Sequence, residues 1–258
     1  MIKTPVLFAM LFGAATMFGC AVDTGEVDET QEIIANLVEA GFPRSEITVV
    51  EGMVYVGGDA HVNLAASREM LVSTPGQEHY RSSNIVSYTR NRICINPTSA
   101  FFGQTRLVQG LDRAIENFNA LSLSFKFERG PIFIGCDSTI TITTTTGNGG
   151  SSGFPSGGHP YGLVYIGTGV QSFSDDVIEH VITHELGHCV GLRHTDYYNR
   201  AISCGSGGNE GSANVGVIHI PGTPTTATVG GSIMNACFRS TETGEFTSAD
   251  RTALETLY

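Results

Sequence analysis

No tryptophan occurs among the 258 residues, and the 14 lysines and arginines are far outnumbered by 25 aspartates and glutamates. A formal charge of -11 repels a phosphate backbone, whose recognition depends on cationic side chains, so nucleic acid is excluded as a partner. No apolar run reaches the roughly 20 residues that a membrane-spanning helix needs. No two cysteines form a Cys-x-x-Cys pair, which argues against a thiolate metal site or a thioredoxin-type redox centre. No internal repeat is visible. What is there, 41% hydrophobic and 15% charged residues with 32 glycines, describes a soluble, turn-rich globular chain. Its length accommodates one main domain and an appendage.

The first residues are organised differently from the rest. Lys3 precedes an apolar run from Val6 to Phe18, followed by Gly19 and Cys20. The run is short and has no polar face, so residues 1–19 read as a signal peptide. Met17-Phe18-Gly19-Cys20 resembles a bacterial lipobox, in which Cys20 becomes the lipidated first residue of the mature chain; simple secretion is the alternative. A lipid anchor at Cys20 is the one membrane association expected, giving a cell-envelope lipoprotein or a secreted protein. Five cysteines remain, Cys94, Cys136, Cys189, Cys204 and Cys237. In an exported protein these are disulfide partners before they are metal ligands. The expected pairs are Cys94 with Cys136 and one bridge among the last three.

Residues 20–86 read as an acidic tether followed by a small region that is a candidate propeptide. It contains a helix from Gln31 to Gly41, a hairpin of Ile47–Val50 with Met53–Val56 around Glu51-Gly52, and a short helix from Leu64 to Leu71. The polar stretch from Thr74 to Arg90, broken by Pro75-Gly76, places a boundary near Ser87. Residues 87–258 form the expected main domain, α+β in class. It begins with a strand over Arg92–Asn96, an amphipathic helix within Phe102–Leu121, and strands over Ser122–Phe127 and Ser138–Thr145. Glycine density makes 147–158 an expected mobile loop. A strand over Leu163–Ile166 follows, then a helix over Ser174–Val190 opened by Ser174 with Asp175 and Asp176. A terminal helix over Ser248–Leu257 is introduced by Thr247-x-x-Asp250, a capping-box pattern.

The chemistry concentrates in His184-Glu185-Leu186-Gly187-His188-Cys189-Val190-Gly191-Leu192-Arg193-His194. Residues four apart share a helix face, so His184 and His188 can direct one imidazole nitrogen each at a common ion. Glu185, one residue round the helix, can reach a water held by the metal without ligating it, the position of a general base. Gly191 allows the chain to leave the helix in a left-handed conformation and return His194 as third ligand. Three protein ligands leave one position open, the mark of a catalytic rather than a structural zinc site. His180 lies a turn earlier and too far from His188 to share an ion, so it reads as exposed or supporting. Cys189 points about 100° away from the ligands and reads as disulfide or core. His159, near the expected cleft, reads as a solvated loop histidine, with a substrate contact as the other reading.

At these residues the sequence resembles the metzincins, whose extended zinc motif has this spacing and which carry a methionine-containing turn beneath the metal. Ser232-Ile233-Met234-Asn235 matches that turn, with Met234 as apolar support. The run His194-Thr195-Asp196, the stretch Ile220-Pro221-Gly222-Thr223-Pro224 and Phe246-Thr247-Ser248-x-Asp250 look more narrowly like the dual-action HEIGH metallopeptidases. That resemblance spans roughly Ser87 to Tyr258. It implies a mixed, twisted sheet with an active-site helix and a C-terminal helix, one catalytic zinc, and hydrolysis of protein or peptide substrates by a monomer. Ala236 stands where some metzincins have tyrosine, which removes that residue from the expected transition state. Substrate is expected to add as a strand along Leu163–Ile166.

Val56-Gly57-Gly58-Asp59 resembles the Phe-x-Gly-Asp motif with which some metzincin proregions set an aspartate on zinc. Asp59 is accordingly a candidate latency switch, with an ordinary turn aspartate as the other reading. No cysteine lies between Ala21 and Asn91 to act as a cysteine switch. The rival functional class is a surface-anchored binding lipoprotein with a non-catalytic zinc site, against which Glu185 and the missing fourth ligand both stand. Calcium sites, side-chain preference and natural substrate are not readable from the sequence.

Overall fold

The computed structural model describes residues 28–71, 80–130, 134–211 and 218–258. The signal peptide, Cys20 and most of the tether lie outside the described residues. Helix α1 (Glu29–Glu39) opens with Asp28, whose side chain accepts from Thr30 N, and it buries Ile33, Ile34 and Leu37. Strands β1 (Ile47–Val50) and β2 (Met53–Val56) pair antiparallel as the expected hairpin. Its tip, Glu51 at φ 52° and Gly52 at φ 82°, has the two left-handed residues that a tight hairpin turn demands. A short strand β3 (Ala60–His61) follows, then α2 (Leu64–Met70), capped by the Asn63 side chain. Ile33, Leu37, Phe42, Val54, Val62 and Met70 make a small core that Phe154 completes from the later part of the chain.

The main unit begins with β4 (Tyr80–Arg81) and β5 (Arg92–Pro97). The single expected helix after β5 is two, α3 (Ser99–Phe102) and α4 (Thr105–Asn119), because Thr98 caps the first and Gly103 ends it. Strands β6 (Lys126–Arg129), β7 (Ser138–Thr145), β8 (Gly150–Gly153) and β9 (Leu163–Gly167) come next. β6 starts later than expected, since Ser124 N donates to Tyr258 O instead of joining a ladder. Helix α5 (Asp175–Cys189) carries the zinc motif, with Ser174 Oγ accepting from Val177 N. The chain ends through α6 (Ala201–Cys204), β10 (Ile218–His219) and α7 (Ser248–Leu257), the last with a complete Thr247/Asp250 capping box.

One mixed sheet in the order β1-β2-β3-β8-β9-β7-β5-β6 runs through both units. β6, β5, β7 and β9 are mutually parallel, with α4 crossing between β5 and β6. β8 reverses direction against β9, and β3 joins β8 in parallel. The domain is α+β, as expected. α4 and α5 lie on one face of the sheet, where Leu107, Leu111, Phe118, Ile178, Ile182 and Leu186 meet Ile93, Ile95, Ile140, Ile142 and Val164. Gly110 permits their approach, since a Cβ there would stand 2.7 Å from Ile178 Cγ2. Disulfides join Cys94 to Cys136 and Cys204 to Cys237, and Cys189 is a buried free thiol. Among the described residues no helix is long and apolar enough to cross a membrane.

Two expectations about the glycine-rich segment are corrected. Gly150–Gly153 is a strand rather than a loop. Its glycines are needed because other groups press on it: a Cβ at Gly150 would lie 2.6 Å from the Glu185 side chain and one at Gly153 2.4 Å from His61 O. In consequence β9, paired on both sides, is no edge for substrate, and Leu163–Ile166 cannot receive one. The strand outside it is β8, whose outer flank meets β3.

Candidate metal centre

α5 is buried from Val177 onwards, and its motif places His184 and His188 one turn apart. Gly191, at φ 104°, turns the chain off the helix as expected, and a Cβ there would collide with Asn84 O at 2.7 Å. His194 is thereby carried back to the other two. His194 Nε2 lies 3.2 Å from both His188 Nε2 and His184 Nε2.

Every imidazole is oriented from behind. His184 Nδ1 donates to Ile233 O and His188 Nδ1 to Leu192 O, each at 2.8 Å. His194 Nδ1 donates to Glu210 Oε1 at 2.7 Å. With each Nδ1 donating outward, the three Nε2 atoms converge on one point, where a bound cation, or Nε2 protons shared with a carboxylate, offsets their mutual repulsion. Two nitrogens bound to one tetrahedral zinc are about 3.4 Å apart, close to the separations seen.

Met234 is buried against the helix, with its sulfur where a Cβ on Gly187 would be 2.6 Å away. The flanking motifs tie this turn down. Thr195 N donates to Met234 O, Asn235 Nδ2 to Thr195 Oγ1, and Ala236 N to Asp196 Oδ1. From the other side the Asp250 carboxylate, itself the capping group of α7, accepts from Ser232 Oγ and Ile233 N.

Asp59 arrives from the leading unit. Gly57 and Gly58, at φ 67° and 95°, turn the chain so that Asp59 Oδ2 stands 3.2 Å from His194 Nε2 and 3.6 Å from His184 Nε2. Oδ1 lies 3.7 Å from His188 Nε2 and has no hydrogen-bond partner among the described residues. One ligand atom from each of Asp59, His184, His188 and His194 falls within 4.8 Å of all the others. Burial alone would raise the Asp59 carboxyl, but the charge of His194 and hydrogen bonds from His184 and His194 hold it well below the usual range. Burial likewise opposes charge on His194, yet Asp59 and Glu210 raise it well above its ordinary value. Carboxylates facing convergent imidazoles make a site built for positive charge.

Glu185 is beside this cluster, not in it. Ser152 Oγ of β8 lies 2.7 Å from its Oε2, donating to it, and 2.9 Å from its backbone carbonyl. Burial pushes the Glu185 carboxyl up to about 8, against the pull of His184. A divalent cation at the three Nε2 atoms acts the other way.

Ser152 and Glu210 were not foreseen. Ser152 was hidden in the presumed loop, and Glu210 reaches His194 only because its own N–H donates to Tyr197 O and folds the segment back. Of the two readings of His180, its burial at 3% removes the exposed one and leaves the supporting one, and it is absent from the metal cluster. His159 is remote, bridging Ser138 Oγ and Arg90.

Three histidines that each donate outward through Nδ1, with the Glu185 carboxyl group alongside, make a site for one metal ion. A model of the dual-action HEIGH metallo-peptidases matches residues 54–258, so the chain belongs to that family and is a zinc metallopeptidase. The match begins inside the leading unit, further forward than the sequence resemblance reached. Two solved structures of myroilysin are similar at 14% identity. One has a TM-score of 0.42 over 67% of this chain and 97% of that one, the other 0.40 over 71% and 99%. No curated protein matches.

Proposed function

We propose that the chain is an exported zinc endopeptidase held latent by its own leading unit, with Glu185 as general base and Asp59 as the latency switch. The observation that carries this reading is the Asp59 carboxylate set over three convergent histidine nitrogens, with Glu185 alongside. His184, His188 and His194 would hold the zinc. Bound zinc supplies a Lewis acid that makes water acidic near neutral pH and polarises a carbonyl. Glu185, aimed by Ser152, takes the proton of the attacking water and returns it to the leaving amine. β3 occupies the flank of β8 where an extended peptide would pair, so the leading unit blocks both strand addition and the metal. Two disulfides fit an oxidising compartment. Export by the signal peptide, with lipidation at Cys20, completes the reading.

The test compares the full chain before and after limited proteolysis that removes the leading unit ahead of β4, alongside Glu185→Ala. One zinc per chain in both proteins, with cleavage of an unfolded substrate appearing on processing and only in the wild type, is expected. A processed wild type that holds zinc and cuts nothing contradicts it.

A further inference from the structure

Beside the metal centre a cavity of about 220 Å³ runs between α5 and the segment that follows Met234. His184 and Glu185 line its metal end, while Val181, Ala236 and Phe238 supply apolar walls. The far wall is pinned by the Cys204–Cys237 disulfide and by Cys237 N donating to Ser203 Oγ. The cavity is preformed. His180 also lines it, 3% exposed, and neither of its ring nitrogens has a hydrogen-bond partner among the described residues. Glu242 Oε2 stands 3.9 Å from His180 Nδ1, beyond hydrogen-bond reach, and is itself held by Arg239 at 2.8 and 3.0 Å.

A buried polar group left unpaired is costly, so fully buried ring nitrogens in a cavity wall point to a partner that arrives with the ligand. We propose that His180 is a specificity-determining residue: it selects, beside the cleaved bond, a substrate side chain whose tip both donates and accepts, the amide of glutamine or asparagine or the phenol of tyrosine. The inference rests on the peptidase reading. A neutral imidazole presents either a donor or an acceptor at a given ring nitrogen according to its tautomer, and an amide or phenol tip can answer either, whereas an aliphatic chain leaves that nitrogen unpaired. Burial keeps His180 neutral, pushing it down to about 4. The Glu242 carboxylate disfavours an acidic side chain, and its pairing with Arg239 removes the free charge that would attract a basic one. The apolar walls take the methylenes or ring behind the tip.

The test is a peptide library cut by the zinc-loaded full chain after limited proteolysis, with kcat/KM for pairs that differ only beside the bond, Gln against Leu and Tyr against Phe. Wild type should favour Gln and Tyr by about tenfold or more, since sites built to hydrogen-bond a group reject analogues lacking it. His180→Leu should bring both ratios to about one while still cutting the Leu and Phe peptides, and His180→Gln should restore part of the preference. Ratios unchanged in His180→Leu, or a wild-type preference for acidic or basic residues, would overturn the proposal. If wild type cuts no peptide, the peptidase reading fails first. In that event the 15N ring signals of His180 in zinc-loaded Glu185→Gln decide: movement with Gln or Tyr peptides but not with Leu or Phe supports the site, and no movement rejects it.

Discussion

The two apolar cores of the molecule differ in what they hold still. The larger packs α4 and α5 against β5, β7 and β9; His184 and His188 stand on a helix buried beyond its first turn, and His194 follows just after it. Their Nδ1 partners, Ile233 O, Leu192 O and Glu210, all belong to that same unit. The smaller core, built on α1, α2 and the hairpin, borrows Phe154 to close itself and fixes little beyond the Gly57–Asp59 turn. It is held to the main unit by the β3–β8 pairing, by Phe154, by the Asp59 contacts, by a Tyr161–His61 hydrogen bond, and by Arg193 stacked 4.7 Å over the Phe42 ring. Small cores are marginal and large ones are not. The larger unit therefore holds the histidines in place, and the smaller one suits the removable cover proposed for it.

That comparison can be broken from either side. The largest effect is expected from Leu37→Ala, which empties a fully buried position of the smaller core at about 2–5 kcal/mol. Hydrogen exchange should show residues 29–71 opening while α4 and α5 stay protected, and activity of the unprocessed chain should rise. Next comes Glu210→Gln, which weakens the orientation of His194 and should lower zinc affinity about 10–100-fold, measured by competition with a chelator. The leading unit should remain folded. Smallest is Ser152→Ala, which removes a charge-assisted hydrogen bond to Glu185 worth about 1.5–3 kcal/mol. In processed enzyme kcat should fall about tenfold or somewhat more with KM little changed.

Legibility in the sequence followed the locality of each signal. His184, Glu185, His188, Gly191 and His194 are read from spacing alone because one helix and one turn relate them. The Glu51-Gly52 hairpin and the Thr247/Asp250 capping box are likewise set by neighbours a few residues apart. β8 was misread because its glycines answer to Glu185 and to His61 O, partners invisible from composition. The burial of His180 escaped for a related reason: α5 has no exposed face beyond its first turn, so helical phase does not separate inside from outside. Glu210 and Ser152 depend on contacts 16 and 33 residues away, which no local pattern encodes.

The central claim is that Asp59 closes the metal centre from a unit the catalytic machinery does not need. The direct measurement is peptide cleavage and zinc content of the intact, unprocessed chain with Asp59→Ala against wild type. A lost charge-assisted contact of about 1.5–3 kcal/mol predicts cleavage raised about 10–100-fold, with one zinc retained. Unchanged latency in the mutant, or loss of its zinc, would contradict the account.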